Sequence, residues 1–523
     1  MSGLAELVRL ALRRDRVMIP AWVLGLGAAV GVTASSYVGL YSGEAARREV
    51  IATLGSTPAT LALYGRIFGD TVGALVAWRL GGIALALAGL MSILIVVRHT
   101  RAEEESGRAE LVGAGVVSRR APLAAALLVA AIADAALGCA VVLGVVATGL
   151  SLTGALALGL TFALVGFAFA AVAAVTAQLS ESARAANGLA VAVLGGAFLA
   201  RAIGDAGPHW VSWLSPLGWG QQVRAFAGDR WWVLSLLLAF AGVLIAAAVR
   251  LAERRDLGAG IVPPRPGPAR GSLGSPAALA WRLQRGALAG WVAGFAILGA
   301  AFGSIAQDIA DVIGDSPDVI DALQRLGGGS NLVDDYLAAT LQILALIAAG
   351  YAVQATLRLR TEETSGRAEP LLATAVSRTR WALGHAFVAL AGTAAILAVA
   401  GLAAGVGHAL QTGDAAQVTR VLAAALAQVP AAWVLAGLAL ALFGLAPRAA
   451  AVAAWATLAA CLALAELGPV LELSQSIIDL SPFAQSPRLP GGNLDAAPLW
   501  LAALAAALAT AGLAGLRHRD LTT

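Results

Sequence analysis

The chain has 523 residues, 59% of them hydrophobic and 13% charged, with a mean hydropathy of +0.81. Such a composition excludes a water-soluble globule and places the chain among integral membrane proteins. The formal charge is +4 and the pI near 9.6, yet all 35 basic residues are arginine, and no interleaved basic and aromatic surface points to a nucleic-acid partner.

Apolar stretches long enough to cross about 30 Å of hydrocarbon occur roughly twelve times. Alternating barrel strands are absent, so helices must satisfy the backbone in lipid, and the fold class is all-α. Met1 to Arg16 reads as an amphipathic interfacial helix with Leu4, Leu7, Val8 and Leu12 on one side. A signal peptide cleaved near Val32-Thr33-Ala34 is disfavoured, because the apolar run is too long and its removal leaves an odd number of spans. Six spans follow at 17–38, 72–97, 122–150, 154–177, 188–204 and 231–250. The Trp-rich stretch between spans 5 and 6 favours a membrane interface and predicts a short re-entrant or interface-lying helix.

Residues 256–276 are rich in proline and glycine and read as a linker between a first half, 1–255, and a second, 277–523. The second series of spans lies at 285–306, 336–357, 381–410, 419–445, 448–468 and 497–517. Its first outer loop is acidic (Asp308, Asp311, Asp315, Asp318, Asp321, then Asp334 and Asp335). That spacing spreads the aspartates around a helix, as on a solvated face, and offers no fixed-geometry loop for a cation. Cys139 and Cys461 fall inside apolar spans, where they read as small core residues.

The halves are duplicates. Arg101 to Arg119 recurs as Arg360 to Arg378 with 12 of 19 positions identical after a shift of 259 residues. Arg255-Asp256-Leu257 after span 6 matches Arg519-Asp520-Leu521 after span 12, and Leu214-Ser215-Pro216 matches Leu480-Ser481-Pro482. Six spans per half give both halves the same orientation, related by an axis along the membrane normal. With the N-terminus inside, about 25 arginines lie on the cytoplasmic side and about 9 outside, which predicts cytoplasmic termini, repeated loops and linker. Abundant alanine, glycine and arginine without lysine suggest a GC-rich bacterial genome, and the expected location is a bacterial plasma membrane, crossed many times.

A chain without lysine lacks the Walker A residue that contacts nucleotide phosphates, so it does not hydrolyse ATP by the P-loop route. His-Glu-x-x-His, Gly-x-Ser-x-Gly and paired-cysteine motifs are absent, leaving no sign of a bound cofactor or metal and little support for an intramembrane enzyme. Transport is the leading use of twelve helices, with a substrate-free membrane scaffold as another class. In the repeated loop, Glu104 and Arg108, and Glu363 and Arg367, stand at i and i+4 in the helix-supporting order. Gly107 and Gly366 interrupt that helix, and Ser118 and Ser377 are candidate N-caps of the spans that follow. Topology needs only arginines; acids, glycine and serine kept in register imply a protein-docking role.

The loop, its trailing Val-Ser-Arg and the Arg-Asp-Leu after spans 6 and 12 resemble those of type-2 membrane subunits of bacterial ATP-binding-cassette (ABC) exporters. The likeness is narrower to fused twelve-span permeases of the polyketide-antibiotic or tetronasin-type efflux family, and covers nearly the whole length. It implies that each loop is a coupling helix seated on a separately encoded ATPase subunit, two per chain, which binds ATP and Mg. By the same resemblance, Glu103, Glu104, Gly107, Arg108 and Glu110 form the first coupling loop, and Glu362, Glu363, Gly366, Arg367 and Glu369 the second. Leu111 against Pro370 predicts that the two docking helices begin differently. An amphiphilic or lipophilic substrate and a path between the halves, near spans 2, 5, 8 and 11, are also implied.

The main alternative is a secondary transporter of the major-facilitator type, whose loop after spans 2 and 8 is more compact. Such carriers need intramembrane ionisable groups, for which Arg79 and Asp134 are the obvious candidates. Asp134 lies about 18 Å along span 3, where an unpaired carboxylate is expensive, so it must be protonated or meet polar groups; Arg79 is a possible partner unless it snorkels.

Overall fold

A computed structural model describes residues 3–55, 58–115, 117–256, 258–262, 273–304, 306–307, 332–467, 474–493 and 495–520. Most of the linker, Leu257, Leu521 and Asp308, Asp311, Asp315, Asp318 and Asp321 of the acidic loop lie outside these residues. Eleven described helices are long and apolar enough to cross a membrane, and a further apolar helix, Ala450–Ala465, is shorter. The protein is an all-α, multi-pass membrane protein of about twelve helices, and among the described residues no strand occurs. Contacts divide the chain into two compact units, Met1–Gly267 and Pro268–Thr523.

In the first unit α1 (Leu4–Arg14) is followed by the first span, α2 (Met18–Leu40), and by two short helices, α3 (Glu44–Leu54) and α4 (Pro58–Tyr64). Val8 and Leu12 of α1 pack against the core of the unit, as the amphipathic pattern predicts. The second span, expected to be continuous, is broken into α5 (Val72–Leu80) and α6 (Ile83–His99). The physical cause is the Gly81-Gly82 pair, where a Cβ on Gly82 would lie 2.1 Å from the Leu63 carbonyl oxygen of α4. Only glycine admits that approach. A carbonyl freed by the break is satisfied by Gln221, whose Nε2 donates to Gly81 O and to Tyr64 O, both at 2.9 Å.

The repeated loop forms α7 (Arg101–Glu105) and α8 (Arg108–Gly113), after which come α9 (Ala121–Val146), α10 (Leu152–Leu179) and α11 (Ala183–Ala206). The Trp-rich stretch makes a 3₁₀ turn (His209–Leu214) and α12 (Pro216–Gln222), capped by the Ser215 hydroxyl, before α13 (Trp232–Arg254) closes the unit. α12 packs against α6, α10 and α13, so the expected short helix is inserted among the spans. α10 is the central helix, touching α6, α9, α11 and α13, with Phe162, Val165 and Phe169 fully buried. Lipid tails remove most of the hydrophobic drive between helices, so close packing at small residues must supply cohesion. Gly138 of α9 and Gly159 of α10 provide it, since a Cβ on either would come within 2.8 Å of the other's carbonyl oxygen.

The second unit begins with one continuous helix, α14 (Pro276–Ser304), where the first unit uses α1 and α2. It continues through α15 (Leu332–Thr356), the second loop's α16 (Arg358–Thr364) and α17 (Ala368–Leu372), and α18 (Arg378–Thr412). The tenth span is broken at Gln428 into α19 (Ala416–Ala427) and α20 (Val429–Leu445), where Pro430, which has no N–H, starts a new helix. α21 (Ala450–Leu467), a short α22 (Gln475–Ile478) and α23 (Ala497–His518) complete the chain. α20 packs on α23 as α10 packs on α13, with Gly444 against the Gly512 backbone. Asp334 departs from the expected solvated face: it is buried and ion-paired to Arg420 at 2.5 Å. Both cysteines are free, and no described cluster of His, Cys, Asp and Glu could hold a metal ion.

Candidate functional site

Each repeated loop folds as two short helices at an angle, and the hinge is glycine. Gly107 has φ +73° and Gly366 φ +70°, a left-handed conformation that costs a residue with a Cβ about 1–2 kcal/mol. The glycine break expected from the sequence separates the i, i+4 pairs that an uninterrupted helix would make. Arg108 meets Glu103 at 3.5 Å instead of Glu104, and Arg367 meets Glu362 at 3.9 Å instead of Glu363. That releases Glu104 and Glu363 for a different partner.

The partner is the arginine of the other duplicated motif. Arg255, just beyond α13, grips Glu104 in a bidentate pair of 2.5 and 2.7 Å; Arg519, just beyond α23, grips Glu363 at 2.7 and 2.8 Å. Two parallel N–H···O bonds are the strong, orientation-specific form of a carboxylate–guanidinium contact. The trailing Val-Ser-Arg joins the same knot, because Arg119 donates to the Arg255 carbonyl oxygen and Arg378 to that of Arg519, each at 2.6 Å. In both units, therefore, two duplicated segments far apart in sequence, the loop with its trailing Ser-Arg and the Arg-Asp beyond the last span, converge at one end of the bundle and tie the loop to that span.

The acidic pairs are consequently not free side chains on a solvent-facing loop. Glu362 and Glu363 are buried, and the side chain of Glu104 is 13% exposed. Glu103 pairs with Arg14 of α1, whereas Glu362 pairs with Arg358 one turn earlier at 2.5 Å. Buried Arg101 reaches Glu104 and the Ala177 carbonyl, while Glu105 accepts from the first amide of α11, Ala183 N, at 3.0 Å. The exposed charged and apolar side chains just after each hinge are Arg108, Glu110 and Leu111 in the first unit and Arg367, Glu369 and Pro370 in the second, and Glu105 before the first hinge is exposed as well. The helices after each hinge begin within one residue of equivalent positions, Arg108 and Ala368, despite Leu111 facing Pro370 in the alignment.

Ser377 caps α18 as expected, accepting from Arg380 N at 3.2 Å. Ser118 does not cap α9. Pro122 is tolerated only in a helix's first turn, and so delays the start to Ala121. Beside the first loop, Asp15 is buried against His99 Nε2 at 2.5 Å and Arg98 Nε at 2.9 Å. Burial alone would raise its carboxyl, but the hydrogen bond and charge of His99, with Arg98, outweigh that and hold it below the usual carboxylate range.

The intramembrane candidates do not meet. Arg79 is exposed, with its guanidinium 4.1 Å from the Tyr64 ring centre. Asp134 is enclosed between α6, α9 and α10, where Ser92 Oγ lies 2.6 Å from its Oδ1 and Gly166 leaves room for the carboxyl. The 259-residue shift places Thr393 and Tyr351 at the positions of Asp134 and Ser92; Thr393 bonds within its helix and the Tyr351 hydroxyl donates to Val388 O. The polar pair belongs to the first unit alone. A further buried pair lies in α11, where Arg201 and Asp205 are 3.4 Å apart and Arg201 also donates to Ala62 O. Sequence reasoning missed it, although Arg201 lay inside the expected fifth span.

The duplicated architecture has a counterpart among known proteins. The family described as "Multidrug efflux system permease Rv1217c, C-terminal domain" matches residues 4–251 and, again, 273–517. The chain belongs to this family. A relative named multidrug efflux system permease protein Rv1217c, from Mycobacterium tuberculosis strain H37Rv, is 45% identical over 524 residues, covering 99% of this chain and 95% of its own length. That both units of this permease-family member match one pattern agrees with the shared loop–hinge–loop geometry and the paired arginine anchors.

Proposed function

We propose that the chain is the permease subunit of an ABC exporter that moves amphiphilic or lipophilic compounds, drugs among them, out of a bacterial cell. ATP and Mg bind two copies of a separately encoded ATPase, one on each repeated loop, and the chain itself holds no cofactor. The loop-bearing face and both termini are cytoplasmic. One observation carries this reading: in each unit a hinged pair of short helices is locked by a bidentate Glu–Arg contact to the end of the last span. A loop fastened in this way moves with the spans, so force applied by a partner to its exposed Arg108, Glu110 and Leu111, or Arg367 and Glu369, passes into the bundle. The relative's name supports efflux as the task.

Expression with candidate ATPases, followed by affinity purification and native mass measurement, tests the assembly. One permease with two ATPase subunits, and ATP-dependent uptake of a lipophilic drug into inverted vesicles, are the expected results. Drug movement by the chain alone, driven by a proton gradient, would instead indicate a secondary transporter of the major-facilitator type.

A further inference from the structure

Behind the first loop lies a cavity of about 600 Å³, within the size range of ordinary ligand sites. Its walls come from α1, the loop, the start of α9 and the end of α13. Leu7, Leu10, Leu123 and Ala126 make one side apolar, and Leu10, on the amphipathic α1, remains 60% exposed. The charged lining is Arg14, Arg108, Arg119 and Arg255 against Glu103 and Glu104. Neither carboxylate serves a single cation. Glu103 is shared by Arg14 and Arg108, and Glu104 by Arg255 and the adjacent Arg101, while Arg119 bonds the neutral carbonyl of Arg255. Guanidiniums therefore exceed carboxylates, and the cavity is both positive and greasy.

We propose that this cavity binds an anionic phospholipid from the leaflet at the loop-bearing face, with its phosphate among Arg14, Arg108 and Arg119 and an acyl chain along Leu7, Leu10 and Leu123. A soluble anion has no use for the apolar wall, and a neutral lipid leaves the surplus arginines uncompensated; an anionic amphiphile satisfies both. Bound there, the lipid touches α1, the hinged loop and the last span of the unit together, and so tunes how firmly the loop is held.

The permease alone suffices for the test, so its outcome is independent of any ATPase partner. Protein reconstituted in nanodiscs of phosphatidylcholine mixed with phosphatidylglycerol is extracted gently, and retained lipid is counted by native mass spectrometry. Wild type should retain phosphatidylglycerol selectively. Arg119→Glu should lower that retention about tenfold or more, and Ala252→Phe, which projects a ring into the cavity, should lower it also. Arg184→Glu, an exposed charge reversal on α11 away from the cavity, should change nothing. Loss in either cavity variant, with Arg184→Glu unaffected, supports the proposal. Equal retention of both lipids by wild type, wild-type selectivity in both cavity variants, or an equal loss in Arg184→Glu overturns it.

Discussion

The contact between Glu363 and Arg519 is the most direct place to test whether the repeated loop is anchored through its acid. The Glu363 side chain is 4% exposed and that of Arg519 13%, with two hydrogen bonds between them and the guanidinium 4.8 Å from the Phe443 ring centre. Removing one member of a buried pair leaves the other charge unpaired, at a cost of about 3–5 kcal/mol. Because Arg519 keeps some water, the lower figure applies: Glu363→Ala should destabilise the protein by about 3 kcal/mol, roughly a hundredfold in the unfolding equilibrium. Arg519→Ala should also destabilise, by less because Glu363 keeps a further interaction, and the double variant should cost less than the sum, with a coupling of about 2 kcal/mol. The assay is unfolding in mixed micelles followed by tryptophan fluorescence, with exposed Glu369→Ala as a control expected within about 0.5 kcal/mol of wild type. A loss at Glu363 no larger than that of the control, or fully additive single effects, would refute the anchoring argument.

Four further outcomes follow from neighbouring geometry. Gly366→Ala should cost about 1–2 kcal/mol from backbone strain alone, since no atom lies within 4 Å of the added Cβ and φ is +70°; an unchanged melting profile contradicts this. Gly166→Ala places a methyl 2.2 Å from Asp134 Oδ1 and should destabilise by about 1–3 kcal/mol, with Asp134→Ala in the same chain relieving the clash. Asp134→Asn tests separately whether the carboxyl serves more than packing: if export of every tested substrate is unchanged, it has no transport role. Asp15 is held below the usual carboxylate range, so its contribution to stability is fully present above about pH 3.9 and is lost as pH falls through its lower folded value. Acid titration of Asp15→Asn should therefore show a shallower loss of stability below that pH than wild type, and identical slopes would exclude the contribution.

Much of this protein was legible from one-dimensional pattern. Length and apolarity determine spans, because a helix must cross a fixed thickness of hydrocarbon, and a duplicated motif is visible wherever residues are retained in register. The loop, its glycine hinges and the Arg-Asp-Leu after the last span of each half were all apparent in this way, and so was the short helix of the Trp-rich stretch. Their meeting was not. Glu104 and Arg255 are 151 residues apart, and Glu363 and Arg519 are 156 apart, so no helical periodicity relates them. The local i, i+4 spacing instead offered Arg108 to Glu104, a pairing that requires one helix through Gly107, where the sequence itself placed a break. Arg79 and Asp134, both conspicuous as ionisable groups within apolar runs, turned out to face a tyrosine ring and a serine on different helices. Sequence by itself determined which segments cross the membrane and which residues are duplicated, since both are properties of chain length and register. Only the tertiary structure decided which charges neutralise one another, because pairing depends on distance in space, and helix packing sets those distances through contacts that neighbours in the chain do not encode.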